Sequence, residues 1–228
     1  MAGARLLVLV DNEALPGFLS AWGLSIYVEL GDLGILFDAG PDPYVLMHNA
    51  ERLGVELSKI DFAVLSHHHA DHYGGLPYVA ELRPGLVVYV PPGPVARLRS
   101  MGLEPVVIDR PTEIAPRAAV AGPLQAGFGL WEQGLLLDLD SPGPVLLVGC
   151  SHPGVSSLVE LGQRIAGRRL FAVLGGFHFP SEHELRRVAE LVDRVFPMHC
   201  SGEEAKRLLA ASYPGKYGRA AAGSVIEL

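Results

Sequence analysis

The stretch LSHHHADHYGG, residues 65 to 75, places His67, His68, His69, Asp71 and His72 within six positions. Imidazole and carboxylate are ligands for Zn and other first-row divalent metals. The pattern is H-x-H-x-D-H. Two histidines two apart on an extended strand end point to the same side, so His67 and His69 can grip one ion. The chain then turns toward a helix at Tyr73-Gly74-Gly75, which faces Asp71 and His72 toward a neighbouring position and a second ion. Each ion needs a further protein ligand, and His152 and His199 are the obvious donors. His68 lies between ligands and points the other way, so it is expected to be exposed or to lie behind them. His48 and His183 fall inside helical patterns, and their plainer reading is structural.

These residues need elements to position them. In the first half, Leu6–Val10, Ser25–Leu30 and Gly34–Phe37 read as strands, with Gly31-Asp32 as a hairpin turn. Tyr44 to Leu53 has helical spacing and Gly54 is placed to stop it. Phe62–Leu65 reads as a short buried strand running into the histidine cluster, followed by a helix over Gly75 to Leu82 and a strand over Leu86–Val90. The second half repeats this grammar. Leu135–Leu139, Val145–Val148, Leu170–Leu174, Val195–Met198 and Ser224–Leu228 read as strands. Val155 to Ile165, Ser181 to Val192 and Glu203 to Ala211 read as helices. His67, His152, His178 and His199 then each lie just past the C-terminal end of a strand, where α/β sites are usually built. The pattern predicts an α/β chain forming one domain over 1–228, in two similar halves of about 1–110 and 111–228. Two mixed sheets would pack face to face with helices outside.

The rest of the 228 residues narrows the function. Hydrophobic residues make up 49% and charged ones 19%, enough for a sizeable core. The formal net charge is −7, with no basic patch of the kind that binds nucleic acid. Two cysteines, Cys150 and Cys200, make no disulfide framework. No apolar run is long enough to span a membrane. These features predict a cytoplasmic protein with a small-molecule partner, no nucleic acid and no membrane. There is no G-x-S-x-G elbow, G-x-G-x-x-G or phosphate-binding loop to offer another chemistry.

The H-x-H-x-D-H run resembles the signature of the metallo-β-lactamase superfamily. Phe37-Asp38-Ala39-Gly40 resembles its early aspartate motif, in which the Asp braces the metal loop from behind. The resemblance is closer to a branch described as β-ribofuranosylaminobenzene 5′-phosphate synthase or dihydropteroate synthase-like. The matching runs are Gly23-Leu24-Ser25, Asn49-Ala50-Glu51-Arg52-Leu53-Gly54, Gly149-Cys150-Ser151-His152-Pro153-Gly154, Gly175-Gly176-Phe177-His178 and His199-Cys200-Ser201-Gly202. Two departures stand out. Trp22 occupies a place where the branch often has a histidine, and the segment between about residues 90 and 133, which would supply substrate contacts, is short.

The resemblance implies an αββα sandwich and hydrolysis by metal-bound hydroxide, on a small anionic ester, phosphodiester or lactone. One ion would take His67, His69 and His152, and the other Asp71, His72 and His199. Both would be divalent, with Zn the first expectation and Mn or Fe also fitting. Asp71 would also orient the hydroxide. Many members of the superfamily bridge the two ions with an aspartate in the neighbourhood where this chain has Cys150. Cys150 could supply a thiolate there, though the reading favours a small buried residue packed behind His152. Cys200 reads as packing. His178 could ligate metal, give a proton to the leaving group or bind a phosphate, and the reading leans toward a site role. Ser201 and Glu204 fit a capping box at the start of a helix. Two other activities fit the same scaffold: a group-transfer synthase acting on a pterin or ribosyl-phosphate-like substrate, and a mononuclear iron oxidoreductase.

Overall fold

A computed structural model describes residues 3–228. The chain divides into two units, 1–108 with 221–228, and 109–220.

The first unit carries strands β1 (Ala4–Val10), β2 (Ser25–Leu30), β3 (Leu33–Phe37), β4 (Phe62–Val64), β5 (Val87–Val90) and β6 (Glu104–Val107). The second carries β7 (Thr112–Ala115), β8 (Ala118–Gln125), β9 (Trp131–Leu137), β10 (Val145–Val148), β11 (Ala172–Gly176) and β12 (Arg194–Met198). The chain then re-enters the first sheet with β13 (Val225–Glu227). The sheet orders are β13-β1-β2-β3-β4-β5-β6 and β12-β11-β10-β9-β8-β7. Both sheets are mixed, as the sequence predicts.

In the first sheet, β2 and β3 form the expected hairpin around Gly31-Asp32, with Leu30 opposite Leu33. From β3 onward the neighbours run parallel. Parallel neighbours bring their C-terminal ends to one edge, so Asp38 after β3 and His67 after β4 are delivered side by side. Helix α1 (Pro43–Leu53) starts on Asp42, whose side chain accepts from the Tyr44 and Val45 N–H groups. It stops at Gly54, which takes the left-handed conformation at φ 71°. Two short helices follow the histidine cluster, α2 (Ala70–Tyr73) and α3 (Leu76–Leu82), and α4 (Ala96–Ser100) precedes β6. Leu36, Leu46, Leu65, Leu76, Val79 and Val88 belong to the core of this unit.

In the second sheet β10, β11 and β12 are adjacent and parallel, with Val148 level with Gly175 and Gly175 with Pro197. Their C-terminal ends carry His152, His178 and His199 respectively. Every residue of β10 is buried, which explains its unbroken apolar run. Helices α5 (Val155–Ala166) and α6 (Glu182–Leu191) present Val155, Leu158, Val159, Leu185, Val188 and Ala189 to the core of this unit. The last helix is α7 (Gly202–Ser212). Among the described residues no helix is long and apolar enough to cross a membrane.

Candidate metal centre

The first unit assembles its donors around Asp38. This residue is 2% exposed and holds φ at 54°, a left-handed conformation that Asp tolerates better than most residues. Its Oδ1 accepts the Ser66 N–H at 2.7 Å, and its Oδ2 accepts Ser66 Oγ at 2.7 Å and His72 Nδ1 at 2.6 Å. A carboxylate can only accept, so His72 carries a proton on Nδ1, and its neutral ring keeps a lone pair on Nε2. Ser66 spends its single proton on Asp38. Its oxygen, 2.9 Å from His67 Nδ1, must then accept from that ring. His67 is thereby also fixed with Nε2 unprotonated. One carboxylate sets two tautomers, the first directly and the second through Ser66.

The Nε2 atoms of both rings have candidate donor groups beside them. His67 Nε2 lies 3.0 Å from His69 Nδ1. Two Zn–N bonds of about 2.0–2.1 Å, meeting between a right angle and a tetrahedral one, would put the nitrogens about 2.9–3.4 Å apart. The pair fits a shared divalent ion. His72 Nε2 lies 3.8 Å from Asp71 Oδ2, so the second expected pair is also adjacent. The turn that holds Asp71 depends on Gly23, where a Cβ would come within 2.4 Å of the Asp71 carbonyl oxygen and 2.6 Å of Pro41. Leu24 N–H donates to that same carbonyl at 3.4 Å. This close approach accounts for the glycine before Leu24-Ser25. Asn49 is buried and latches the segment before Gly23. Its amide donates to the Leu9 and Leu19 carbonyls, and its oxygen accepts the Leu19 N–H.

His68 takes no part in this cluster. Its Nε2 donates to the Pro91 carbonyl at 3.0 Å, and its ring fills the space beside Gly93. Burial pushes its pKa below the usual 6.5, against the upward pull of the Pro91 bond. Trp22 is 56% exposed. His48 sits within 3.4 Å of the Gly17 carbonyl, and His183 is on an exposed helix position.

The second unit gathers its donors around Cys150, which is buried. Its Sγ lies within 4.8 Å of a ring nitrogen of His152, of His178 and of His199, and of Cys200 Sγ. His152 and His178 have ring centroids 4.4 Å apart. His178 is exposed while His199 is buried. Cys200 hydrogen-bonds locally, accepting the His178 N–H at 3.3 Å and donating to the Cys150 carbonyl at 3.8 Å. Three of these loops bend through left-handed residues: Ser151, His178 and His199 have φ of 61°, 46° and 46°. Non-glycine residues rarely adopt this conformation, and they cluster at functional sites.

Two findings depart from the sequence reading. Ser201 does not cap α7, because its side chain makes no bond to the first turn of that helix. Its hydroxyl donates to the Met198 carbonyl at 2.7 Å and accepts the Phe177 N–H at 3.1 Å, tying the β12 loop to the β11 loop. The capping-box spacing is present, but tertiary partners take the oxygen. The second departure is Glu132, which the sequence reading passed over. It is wholly buried on β9, and its carboxylate receives four bonds from Cys150, Ser151 and His152. Its only sequence signal is a charged residue inside Trp-Glu-Gln-Gly, directly ahead of an apolar strand.

A profile of the metallo-beta-lactamase superfamily matches residues 23–159. The chain is 31% identical over 236 residues to an uncharacterized Methanocaldococcus jannaschii protein, MJ0448, with 87% of this chain and 91% of that one covered. It is 25% identical over 267 residues to the 7,8-dihydropterin-6-methyl-4-(beta-D-ribofuranosyl)-aminobenzene-5'-phosphate synthase of the same organism, covering 92% and 91%. Among solved structures, Tm1679, described as a metal-dependent hydrolase of the beta-lactamase superfamily, superposes with a TM-score of 0.84 at 27% identity, over 99% of each chain. The chain belongs to the metallo-β-lactamase superfamily, and its two mixed sheets with their helices are that superfamily's fold.

Proposed function

We propose that the chain is a metal-dependent hydrolase of a small anionic ester, phosphodiester or lactone. Its metal ligands would be His67, His69, Asp71 and His72 from the first unit, and His152 and His199 from the second. The observation that carries this reading is the approach of His67 Nε2 to His69 Nδ1 at 3.0 Å, with the far nitrogen of His67 already committed to Ser66. Without an ion the two nitrogens hydrogen-bond to each other, and the same spacing suits two nitrogens that share one cation. The name of the Tm1679 relative supports the same class.

Two divalent ions held there would lower the pKa of a coordinated water and draw charge from the substrate's reacting oxygen. The chain's own part is to hold the donors in one protonation state. Asp38 and Ser66 hold the neutral rings of His67 and His72 in the metal-binding tautomer, so neither ring has to move a proton when an ion arrives. Cys150, at the focus of three histidines, would add a thiolate on binding a metal, which would favour Zn or Fe over Mn. His178, exposed beside His152, is the residue available to give a proton to a leaving group or to bind an anionic oxygen. The net charge of −7 favours a small molecule over nucleic acid as partner, with the cytoplasm as its setting.

A second reading has one observation behind it. A relative at 25% identity is named as a synthase, so group transfer to a pterin or ribosyl-phosphate-like substrate stands as the alternative. Elemental analysis of the purified protein, followed by ester, lactone and phosphodiester panels, decides between them. Close to two Zn per chain and turnover that is lost with His67→Ala would support the hydrolase. A fully loaded protein inert on all three panels would move the assignment to the synthase. A single iron per chain would overturn the two-ion reading and favour redox chemistry.

A further inference from the structure

We infer that Glu132 is a positioning residue for the His152 ligand, the counterpart in the second unit of Asp38 in the first. The inference rests on the reading that His152 binds metal.

Glu132 stands on β9, next to β10 in the sheet, and is wholly buried. Its Oε1 accepts the backbone N–H groups of Cys150 at 2.8 Å and Ser151 at 2.7 Å. Its Oε2 accepts the backbone N–H of His152 at 2.8 Å and that residue's Nδ1 at 2.8 Å. Three successive N–H groups can converge on one carboxylate only if the chain curls. The left-handed Ser151, at φ 61°, supplies the curl, and the Ser151 hydroxyl anchors it by donating to the Gly176 carbonyl at 2.8 Å. The loop is a backbone nest closed around a buried anion.

The chemical consequence lies in the imidazole. Because Oε2 can only accept, His152 carries its proton on Nδ1 and keeps Nε2 unprotonated for a metal. The same oxygen holds the His152 backbone, so ring and main chain are fixed by one atom. Carboxylates behind ligating histidines raise their basicity and set their orientation. Glu132 does this while also fixing the backbone of Cys150, the other candidate donor on the loop. Hydrogen bonds to an ionised acceptor are the strong ones, and Glu132 offers four.

Glu132→Gln is the informative variant. A neutral amide has one accepting oxygen, so either orientation turns an NH2 group toward two N–H donors. On the Cys150–Ser151 side no relief exists, because backbone N–H groups cannot change roles. On the His152 side the ring can shift its proton to Nε2 and accept at Nδ1. The amide should therefore face its NH2 to His152 and reverse that histidine's tautomer, which removes the metal-binding lone pair.

The test is a long-range 1H–15N correlation on the metal-free protein at a pH above about 8, where free imidazole is neutral, paired with Zn titrations. Wild type should show His152 protonated at Nδ1. Glu132→Gln, with an unchanged circular dichroism spectrum, should show the proton on Nε2 and bind Zn about 10–100-fold more weakly. His152→Ala, run alongside, should weaken Zn binding at least as much. A wild-type His152 protonated at Nε2 would overturn the inference, and this measurement needs no variant to fold. So would a folded Glu132→Gln that keeps wild-type Zn affinity while His152→Ala loses it. Unchanged Zn affinity in His152→Ala would overturn the ligand assignment itself, and this inference with it.

Discussion

Asp38 Oδ2 lies 2.6 Å from His72 Nδ1, and both side chains are fully buried. The contact is directional: it holds His72 by Nδ1 and leaves Nε2 turned to Asp71, 3.8 Å from its Oδ2. The same carboxylate reaches His67 through Ser66. Replacing Asp38 with Asn tests this without disturbing the left-handed backbone, which Asn also tolerates. Asp38→Asn is expected to weaken Zn binding by about 10–100-fold and to cost about 1–3 kcal/mol of stability through poorly matched buried donors. Zn titration and thermal unfolding of the metal-free protein check the two effects separately. Unchanged affinity would mean that the tautomers are set by something other than Asp38.

Cys150 has the sharpest spectroscopic prediction. With Sγ within 4.8 Å of ring nitrogens of three histidines, it is placed to bind as a thiolate. Co(II) substituted into the protein should show a strong near-ultraviolet sulfur-to-metal charge-transfer band, and Cys150→Ser should abolish it while Cys200→Ser leaves it. A Co(II) spectrum without that band would return Cys150 to the packing role read from the sequence.

Gly23 connects a backbone contact to the ligand loop. A Cβ there would meet the Asp71 carbonyl at 2.4 Å and Pro41 at 2.6 Å, neither of which is a flexible side-chain end. Gly23→Ala should cost about 1–3 kcal/mol by overpacking and weaken metal binding as well, since Asp71 must move. A variant destabilised to that extent but with wild-type metal affinity would show that Asp71's position is unimportant for binding.

Tyr27 gives a pH dependence remote from the metal loops. Burial raises its pKa above the usual 10.0, with smaller upward contributions from the nearby charges of Glu29, Asp61 and Glu56. Above pH 10 the unfolded chain therefore loses this proton while the folded chain keeps it. The unfolded state binds fewer protons, and stability falls as pH rises from 10 through the folded value. Tyr27→Phe should flatten that decline in urea-unfolding midpoints measured on either side of pH 10. An identical slope in the variant would remove Tyr27 as the cause.

What the sequence made legible follows from how locally each feature is encoded. The candidate donors His67, His69, Asp71 and His72 lie within six residues, so their spacing is visible in the sequence itself. Strand β2 and the Gly54 stop of α1 are set by alternation and by a single glycine, and both appear where the sequence puts them. Glu132 was not legible, because its partners are 18 to 20 residues away and it becomes a brace only when β9 and β10 pair. β9 begins at Trp131, ahead of the apolar run that marks it in the sequence. Strands β6 and β8 were missed because Pro105, Gly122 and Pro123 interrupt the pattern that would mark them, and β7 because it is only four residues long and none of them is fully buried. Ser201 shows the opposite error, a valid local motif overridden by tertiary partners.

The pairing of β13 with β1 joins strands that are made far apart in time during synthesis. Leu7 pairs with Val225, a separation of 218 positions (225 − 7). At about 5–20 residues per second, the outer edge of β1 waits about 10–45 s for its partner strand to leave the ribosome. All of the second unit, 109–220, emerges in that interval. An unpaired strand that is almost entirely apolar is an invitation to pair with another chain. The outer edge of β1 is therefore open to another chain after the histidine cluster has been made and until β13 has been.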